Sequence, residues 1–196
     1  MTILLLAGSP SIPSRSTRLL HYTGERLAER GMRTVKLHVL DLPAQALLHA
    51  DFASRDIRTA QETLASAEAV VVATPVYKAA YSGILKAFLD LLPQDGLAGK
   101  LVLPLATGGS QSHMLALDYA LRPVLTALAA RHVLPSVFAT DAQVEWNQQQ
   151  GLLLAEPIVR RIEAGVDQLT ATLASLRAAR EEAFAPVHFS QVRCSV

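Results

Sequence analysis

Residues 69–74 read Ala-Val-Val-Val-Ala-Thr, an apolar and mostly β-branched run. Similar short apolar runs occupy residues 3–7, 101–107 and 133–139. Runs of this kind are typical of central parallel strands that helices cover on both faces. A fifth segment, residues 33–40, alternates apolar and polar side chains, which predicts a strand at the edge of the same sheet.

Helical patterns separate and follow these strands, and they occupy residues 16–30, 54–67, 82–92, 112–131 and 156–182. The alternating order predicts parallel strands joined by right-handed crossovers. Five strands in 196 residues fit an α/β fold of the flavodoxin-like kind, a doubly wound five-stranded parallel sheet of order 2-1-3-4-5 with helices on both faces. We expect residues 1–196 to form a single domain, with a mobile tail from about residue 186.

The composition excludes several classes of function. Lysine and arginine total 18 and aspartate and glutamate total 17, a net charge of +1 that favours neither nucleic acid nor a membrane as partner. The one cysteine, Cys194, cannot form an internal disulfide, and the six histidines lack metal-ligand spacing, so we expect no metal and a cytoplasmic protein. No apolar run reaches the ~18–20 residues of a membrane span. Neither a dinucleotide glycine fingerprint nor a P-loop is present.

Ligands of a doubly wound sheet bind beyond the carboxyl ends of the strands, near the switch in strand order. The loop after the first strand, residues 8–17, holds five hydroxyl side chains and Arg15, and it leads into a predicted helix. A helix N-terminus with hydroxyl donors and an arginine is suited to a phosphate. The alternative is a serine-rich helix cap that binds no ligand.

The loops after the third and fourth strands predict a place for a flat ring. Residues 74–83 carry Tyr77 and Tyr81, two of the four tyrosines, and residues 107–110 carry paired glycines that allow close approach of backbone to a ligand. Alone, these loops are equally well explained as an aromatic plug and a flexible turn. Together the three loops predict a phosphate at one end and a planar heterocycle at the other, which is the shape of FMN.

The same residues resemble a known family. Residues 6–10, Leu-Ala-Gly-Ser-Pro, with residues 13–16, Pro-Ser-Arg-Ser, closely resemble the first loop of the NADPH-dependent FMN reductases. Residues 73–83, Ala-Thr-Pro-Val-Tyr-Lys-Ala-Ala-Tyr-Ser-Gly, resemble the flavin loop of that family. The likeness covers roughly residues 1–140 and is strongest to the reductase components of two-component alkanesulfonate monooxygenase systems. One departure is Ser11, where related loops often carry a basic residue.

The resemblance implies an enzyme that passes a hydride from NADPH to FMN, with FMN used as a substrate. Reduced flavin would then leave for a partner, a flavin-dependent monooxygenase of the alkanesulfonate type. Carried onto this chain, the phosphate residues would be Ser9, Ser14, Arg15 and Ser16, and the residues around the isoalloxazine would be Pro75, Val76, Tyr77, Lys78, Thr107, Gly108 and Gly109.

Tyr119 is singled out by the same resemblance. In the resembled reductases a tyrosine inserted into this helix forms a π-bulge at a subunit interface near the flavin. The resemblance therefore implies a homodimer or homotetramer in which Tyr119 shapes the flavin pocket and controls release, without acid–base chemistry. The alternative is a core tyrosine on an apolar helix.

Two other functions stay open at this point. One is a related flavoenzyme that retains its FMN and reduces quinones, azo dyes or metal ions. The other is a flavodoxin-like electron carrier without reductase activity, although such carriers tend to be strongly acidic and this chain carries a net charge of +1.

Overall fold

The computed structural model describes residues 1–183. The strands of its main sheet are β1 (Thr2–Ala7), β2 (Arg33–His38), β3 (Ala69–Tyr77), β4 (Ala80–Tyr81), β5 (Leu101–Gly108), β6 (His132–Val133) and β7 (Val137–Thr140). Their order is β2-β1-β3-β5, with β6 and β7 both pairing along β5. All these pairs are parallel except that of β4, which only closes a hairpin on the end of β3. The flavodoxin-like order 2-1-3-4-5 is therefore confirmed.

Helices cover both faces of the sheet. They are α1 (Arg15–Glu29), α2 (Ala44–Leu48), α3 (Arg55–Ser66), α4 (Gly83–Leu89), α5 (Arg122–Ala127) and α6 (Glu156–Ala183). Because side chains of a strand alternate between faces, Leu4 and Leu6 of β1 join the core under α3, α4 and α5, whereas Ile3 and Leu5 join the core under α1 and α6. None of the helices in residues 1–183 combines the length and apolar character that a membrane span requires.

Strand β3 is longer than predicted. The apolar run predicted a strand over residues 69–74, but the strand continues to Tyr77, and Pro75 pairs in register with Thr107. The N–H of Gly8 donates to the carbonyl of Ala73 at 2.8 Å, so the backbone N–H and C=O of residue 73 point towards β1. The backbone groups of residue 75 point to the same side, but β1 has already ended at that level. The missing N–H of Pro75 therefore interrupts no hydrogen bonding between strands.

The predicted fifth strand, residues 133–139, is interrupted. Its two parts, β6 and β7, flank residues 134–136, which include Pro135. Proline cannot donate to a ladder, so the interruption lies where the sequence offers no backbone donor. A further hairpin, β8 (Val144–Asn147) with β9 (Gly151–Leu154), was not predicted.

The prediction of one helix over residues 112–131 is wrong in detail. A 3-10 turn at Gln111–His113 leads to a π-helix at Leu117–Leu121, and α5 follows with Pro123 in its first turn, where a missing N–H costs least. The π-bulge expected at Tyr119 is confirmed by these bounds. The single domain over residues 1–196 stays a prediction, and the tail from about residue 186, with Cys194, lies outside the described residues.

Candidate active site

The three predicted loops meet around one cavity at the carboxyl ends of β1, β3 and β5. Its volume is about 320 Å³, at the lower end of the ~300–1,000 Å³ usual for small-molecule sites. We call it the three-loop cavity. It is lined by Ser9, Ser11, Pro13, Ser14, Arg15, Pro75, Val76, Tyr77, Thr107, Gly108, Gly109 and Asp141.

The first loop is seated on the start of α4. The buried hydroxyl of Ser82 donates to the carbonyl of Gly8 and accepts from the N–H of Leu85 at 3.3 Å, so one side chain caps α4 and holds the loop. A Cβ on Gly8 would lie 2.8 Å from the Cβ of Leu85, closer than side chains tolerate. Glycine is therefore required where the loop leaves β1.

Hydroxyl groups order the rest of this loop. The N–H of Ser11 donates to Oγ of the buried Ser9 at 3.3 Å, and the N–H of Thr17 donates to Oγ of Ser14 at 3.3 Å. Ser14 thus caps α1, which leaves the N–H groups of Arg15 and Ser16 without an acceptor in the helix itself. Open N–H groups and the partial positive charge of a helix N-terminus favour an anion at this end of the cavity.

The second loop is a tight hairpin, and hydrogen bonds of a buried side chain hold its base. The buried Thr74 accepts from the N–H of Ser82 at 3.0 Å and donates to the carbonyl of Pro75 at 2.9 Å. Lys78 and Ala79 form the turn with φ values of 50° and 64°. Burial raises the pKa of Tyr81, which lies on the returning strand β4.

The third loop presents backbone to the cavity. A Cβ on Gly108 would lie 3.2 Å from Phe138 Cζ and 3.5 Å from Val76 Cβ, so this backbone packs closely on the side chains beneath it. At Gly109 the nearest atom to such a Cβ is an oxygen of Asp141, at 4.0 Å. Val76 is buried and Tyr77 is half exposed, so this end offers an aromatic side chain beside backbone groups.

Asp141 is a residue of the cavity that the sequence analysis missed. Its carboxylate lies 3.8 Å from the guanidinium of Arg15, and both side chains are about half exposed. It begins a 3-10 turn directly after β7, in which the N–H of Thr140 donates to Gln143 Oε1 at 3.0 Å. The predicted site comprises the loops after the first, third and fourth strands, although the fifth strand ends at the same edge of the sheet. That topological signal was available in the predicted strand order.

The structure brings most of the predicted binding residues together, with three exceptions. Ser16 is buried beneath the cavity, with its Oγ 3.0 Å from that of Ser14. Lys78 lies at the hairpin turn and does not line the cavity. Tyr119 is 79% exposed on the π-helix and lies outside the lining. Ser11 and Pro13 line the cavity although neither was predicted as a binding residue.

A larger cavity, about 630 Å³, lies at the opposite end of the sheet. None of the predicted binding residues lines it, and Nζ of Lys100 is already bonded to the carbonyls of Ala65 and Ala67 at 2.8 Å and 2.7 Å. Within residues 1–183, no group of three or more His, Cys, Asp or Glu side chains is arranged to hold a metal ion. The three-loop cavity is therefore the better candidate, because it joins open backbone donors, a cation and a half-exposed aromatic side chain.

Comparison with known proteins agrees with this geometry. The family model described as NADPH-dependent FMN reductase matches residues 1–145. The chain belongs to this family. An FMN reductase (NADPH) of Pseudomonas putida KT2440 is 50% identical over 148 residues, 76% of this chain and 75% of that protein. An FMN reductase (NADPH) of Escherichia coli K12 is 51% identical over 144 residues, 74% and 75% of the two chains.

A solved structure extends the likeness to the whole fold. The apo crystal structure of an NADH:FMN oxidoreductase, EMOB, shares 38% identity and a TM-score of 0.79, covering 87% of this chain and 89% of that one. Membership of the family makes this chain an NADPH-dependent FMN reductase, an oxidoreductase whose cofactors are FMN and NADPH. The electron-carrier alternative is thereby set aside.

The cavity fits FMN on its own chemistry. One end collects hydroxyls, open N–H groups and Arg15, the donor set that a phosphate requires. The other end offers Val76, Tyr77 and the backbone of residues 107–109, a surface that a flat ring can cover.

Proposed function

We propose that this reductase uses FMN as an exchangeable substrate and supplies reduced FMN to a flavin-dependent monooxygenase that desulfonates alkanesulfonates. The observation that carries the exchange is the exposure of the phosphate end. Arg15 is 52% exposed and lies near a carboxylate, whereas a permanently held cofactor is typically enclosed. The monooxygenase partner is supported by the sequence resemblance to the reductase components of such systems. A cytoplasmic location fits a chain with a single cysteine.

Each binding residue has a role in this proposal. Ser9 and Ser14 place their hydroxyls, and Ser16 its open N–H, around the flavin phosphate, while Arg15 supplies the charge. The ring lies against the second and third loops, between Pro75, Val76 and Tyr77 on one side and Thr107, Gly108 and Gly109 on the other, and Lys78 stays at the hairpin turn outside the cavity.

Bound FMN supplies a ring that accepts the hydride of NADPH, so no acid or base of the protein is needed for that transfer. The chain's own contribution is placement. Backbone close to the ring at Gly108 excludes side chains from the flavin surface, and the buried Thr74 and Ser82 keep the two loops at a constant separation. Tyr77, half exposed at the rim, leaves room for the nicotinamide to stack and depart.

Tyr119 acts in this proposal through a second subunit. Met114, Leu115 and Tyr119 are 42%, 52% and 79% exposed, an apolar group on one short segment of the surface. Exposed apolar groups of this kind mark interaction sites. We propose that the segment packs against its counterpart in a homodimer or homotetramer, where Tyr119 borders the flavin of the adjacent subunit and controls its release.

Steady-state kinetics test the function directly. NADPH oxidation by the purified protein should rise and saturate as FMN is titrated, and gel filtration should separate flavin from protein. Adding an alkanesulfonate monooxygenase and its substrate should yield sulfite in proportion to NADPH consumed. A protein isolated yellow, with ping-pong kinetics and no need for added FMN, would instead establish the flavin-retaining reductase. No turnover above the flavin-free blank would refute both.

A further inference from the structure

A second cavity lies on the other side of the first loop. Its volume is about 240 Å³, below the range of complete drug-sized sites and suited to one end of a larger ligand. It opens between the loop, the first two turns of α1 and the end of β2. We call it the His21 cavity. It is lined by Ser9, Ser11, Ile12, Pro13, Ser14, Thr17, Arg18, His21, His38 and Leu40.

The polar lining of this cavity is basic and rich in hydroxyls. Three basic side chains line it together with four hydroxyl side chains. They are Arg18, His21 and His38, and Ser9, Ser11, Ser14 and Thr17. Within the described part of the chain, no aspartate or glutamate lines it. A lining that holds the Arg18 cation, two imidazoles and hydroxyl donors, and no carboxylate, favours an anion.

Arg18 is held in place without being neutralised. Its guanidinium lies over the ring of Trp146, 4.4 Å from the centroid, and it forms no ion pair with any of residues 1–183. Stacking on an aromatic ring orders the guanidinium and leaves its positive charge available to a ligand. Trp146 comes from the β8–β9 hairpin, so that hairpin positions the cation.

His21 adds an unmet hydrogen-bonding group. Its Nε2 is buried and has no partner among the described residues, and its ring meets that of His38 edge-on with centroids 5.4 Å apart. Burial, together with the positive charge of Lys36 and of His38, lowers the pKa of His21, against a smaller opposing effect of Glu25. An anion in the cavity would pair with Nε2 and offset this excess of positive neighbours.

We propose that the His21 cavity binds a phosphate monoester, the 2′-phosphate of NADPH. The inference rests on the proposed function, because it requires NADPH to approach flavin in the neighbouring cavity. Ser9, Ser11, Pro13 and Ser14 line both cavities, so the first loop is their common wall. One dinucleotide can therefore place its nicotinamide in the three-loop cavity and its adenosine phosphate across the loop. The cavity then discriminates NADPH from NADH, which differ by this one group.

Calorimetry with fragments tests this without turnover. The flavin-free protein should bind adenosine 2′,5′-bisphosphate about tenfold or more tightly than 5′-AMP, the gain expected of a charge-assisted phosphate contact. Arg18→Gln should abolish most of that preference and Arg18→Lys should retain part of it. Arg33→Gln, with the same charge change at the far end of β2, should leave it intact. FMN and riboflavin affinities should not change in any of these variants.

Four outcomes would overturn the assignment. Equal affinity of the wild type for the two nucleotides would remove the 2′-phosphate site, even if FMN-dependent NADPH oxidation is normal. A loss of FMN affinity in Arg18→Gln with riboflavin unchanged would assign the cavity to the flavin phosphate. Inorganic phosphate binding as tightly as the bisphosphate would indicate a site for free phosphate. An unchanged preference in Arg18→Gln, with a normal thermal transition, would show that Arg18 does not read the phosphate.

Discussion

The guanidinium of Arg15 and the carboxylate of Asp141 face each other at 3.8 Å across the three-loop cavity, although the two residues lie near opposite ends of the matched family region. Both side chains are about half exposed, so the pair itself adds little to stability. Its consequence lies in binding. In the proposed function, a flavin phosphate at the first loop would compete with Asp141 for Arg15 and would be repelled by the carboxylate, which would favour release.

Removing that competition should tighten FMN. We expect Asp141→Asn to lower the dissociation constant of FMN roughly two- to fivefold, because exposed ion pairs contribute roughly 0.2–1 kcal/mol. Riboflavin, which has no phosphate, should bind as before. Flavin fluorescence titration measures both, and Asp95→Asn, an exposed change away from the cavity, is the matched control. Weaker FMN binding in Asp141→Asn would show that Asp141 supports Arg15 instead of competing for it.

Arg15 itself should distinguish FMN from riboflavin. Arg15→Ala should weaken FMN about tenfold, near the lower end of the roughly 1.5–3 kcal/mol of a charged hydrogen bond, because the side chain is half exposed. Riboflavin affinity should change little. The same fluorescence titration serves, and an equal loss for both flavins would contradict a phosphate role. High salt should narrow the difference between FMN and riboflavin in the wild type.

Tyr119 should matter for assembly and release. Tyr119→Ala removes the most exposed part of the apolar segment on the π-helix, so we expect weaker self-association in sedimentation velocity and altered co-purification of flavin. Phe52→Ala removes another exposed aromatic elsewhere on the surface and should change neither. If both variants behave as the wild type, Tyr119 is neither at an interface nor in control of the flavin.

Two glycine substitutions test how closely the first loop packs on α4. A Cβ at Gly8 would lie 2.8 Å from that of Leu85, so Gly8→Ala should lower the free energy of unfolding by about 1–3 kcal/mol. A Cβ at Gly83 meets nothing within 4 Å, and Gly83→Ala at the start of α4 should leave stability unchanged or raise it by about 0.4–1 kcal/mol. Urea denaturation compares the two. Equal midpoints would mean that the first loop can move away from α4.

Local pattern predicted most of the fold, and each of its errors has a physical cause. The apolar runs of β1, β3 and β5 were recognised because central strands bury both faces. The apolar run 69–74 predicts too short a strand, because β3 continues through Pro75 where β1 has ended and no neighbouring strand needs the missing N–H. Hydrophobic spacing predicts one continuous helix around Tyr119, since a π-turn has no marked signature in that spacing, and the π-bulge was predicted only by the family resemblance.

The sequence by itself determined the alternation of strands and helices, the flavodoxin-like order and the three loops that bear hydroxyls, tyrosine and glycine. These features follow from the order of apolar and polar residues along the chain, because that order shows which segments are buried and which residues lie next to each other. The tertiary structure alone decided that Asp141 faces Arg15 and that Trp146 lies beside Arg18. It also decided that the first loop separates two cavities. Those relationships join residues distant in the chain, and they exist only once parallel strands bring their carboxyl ends to one edge of the sheet.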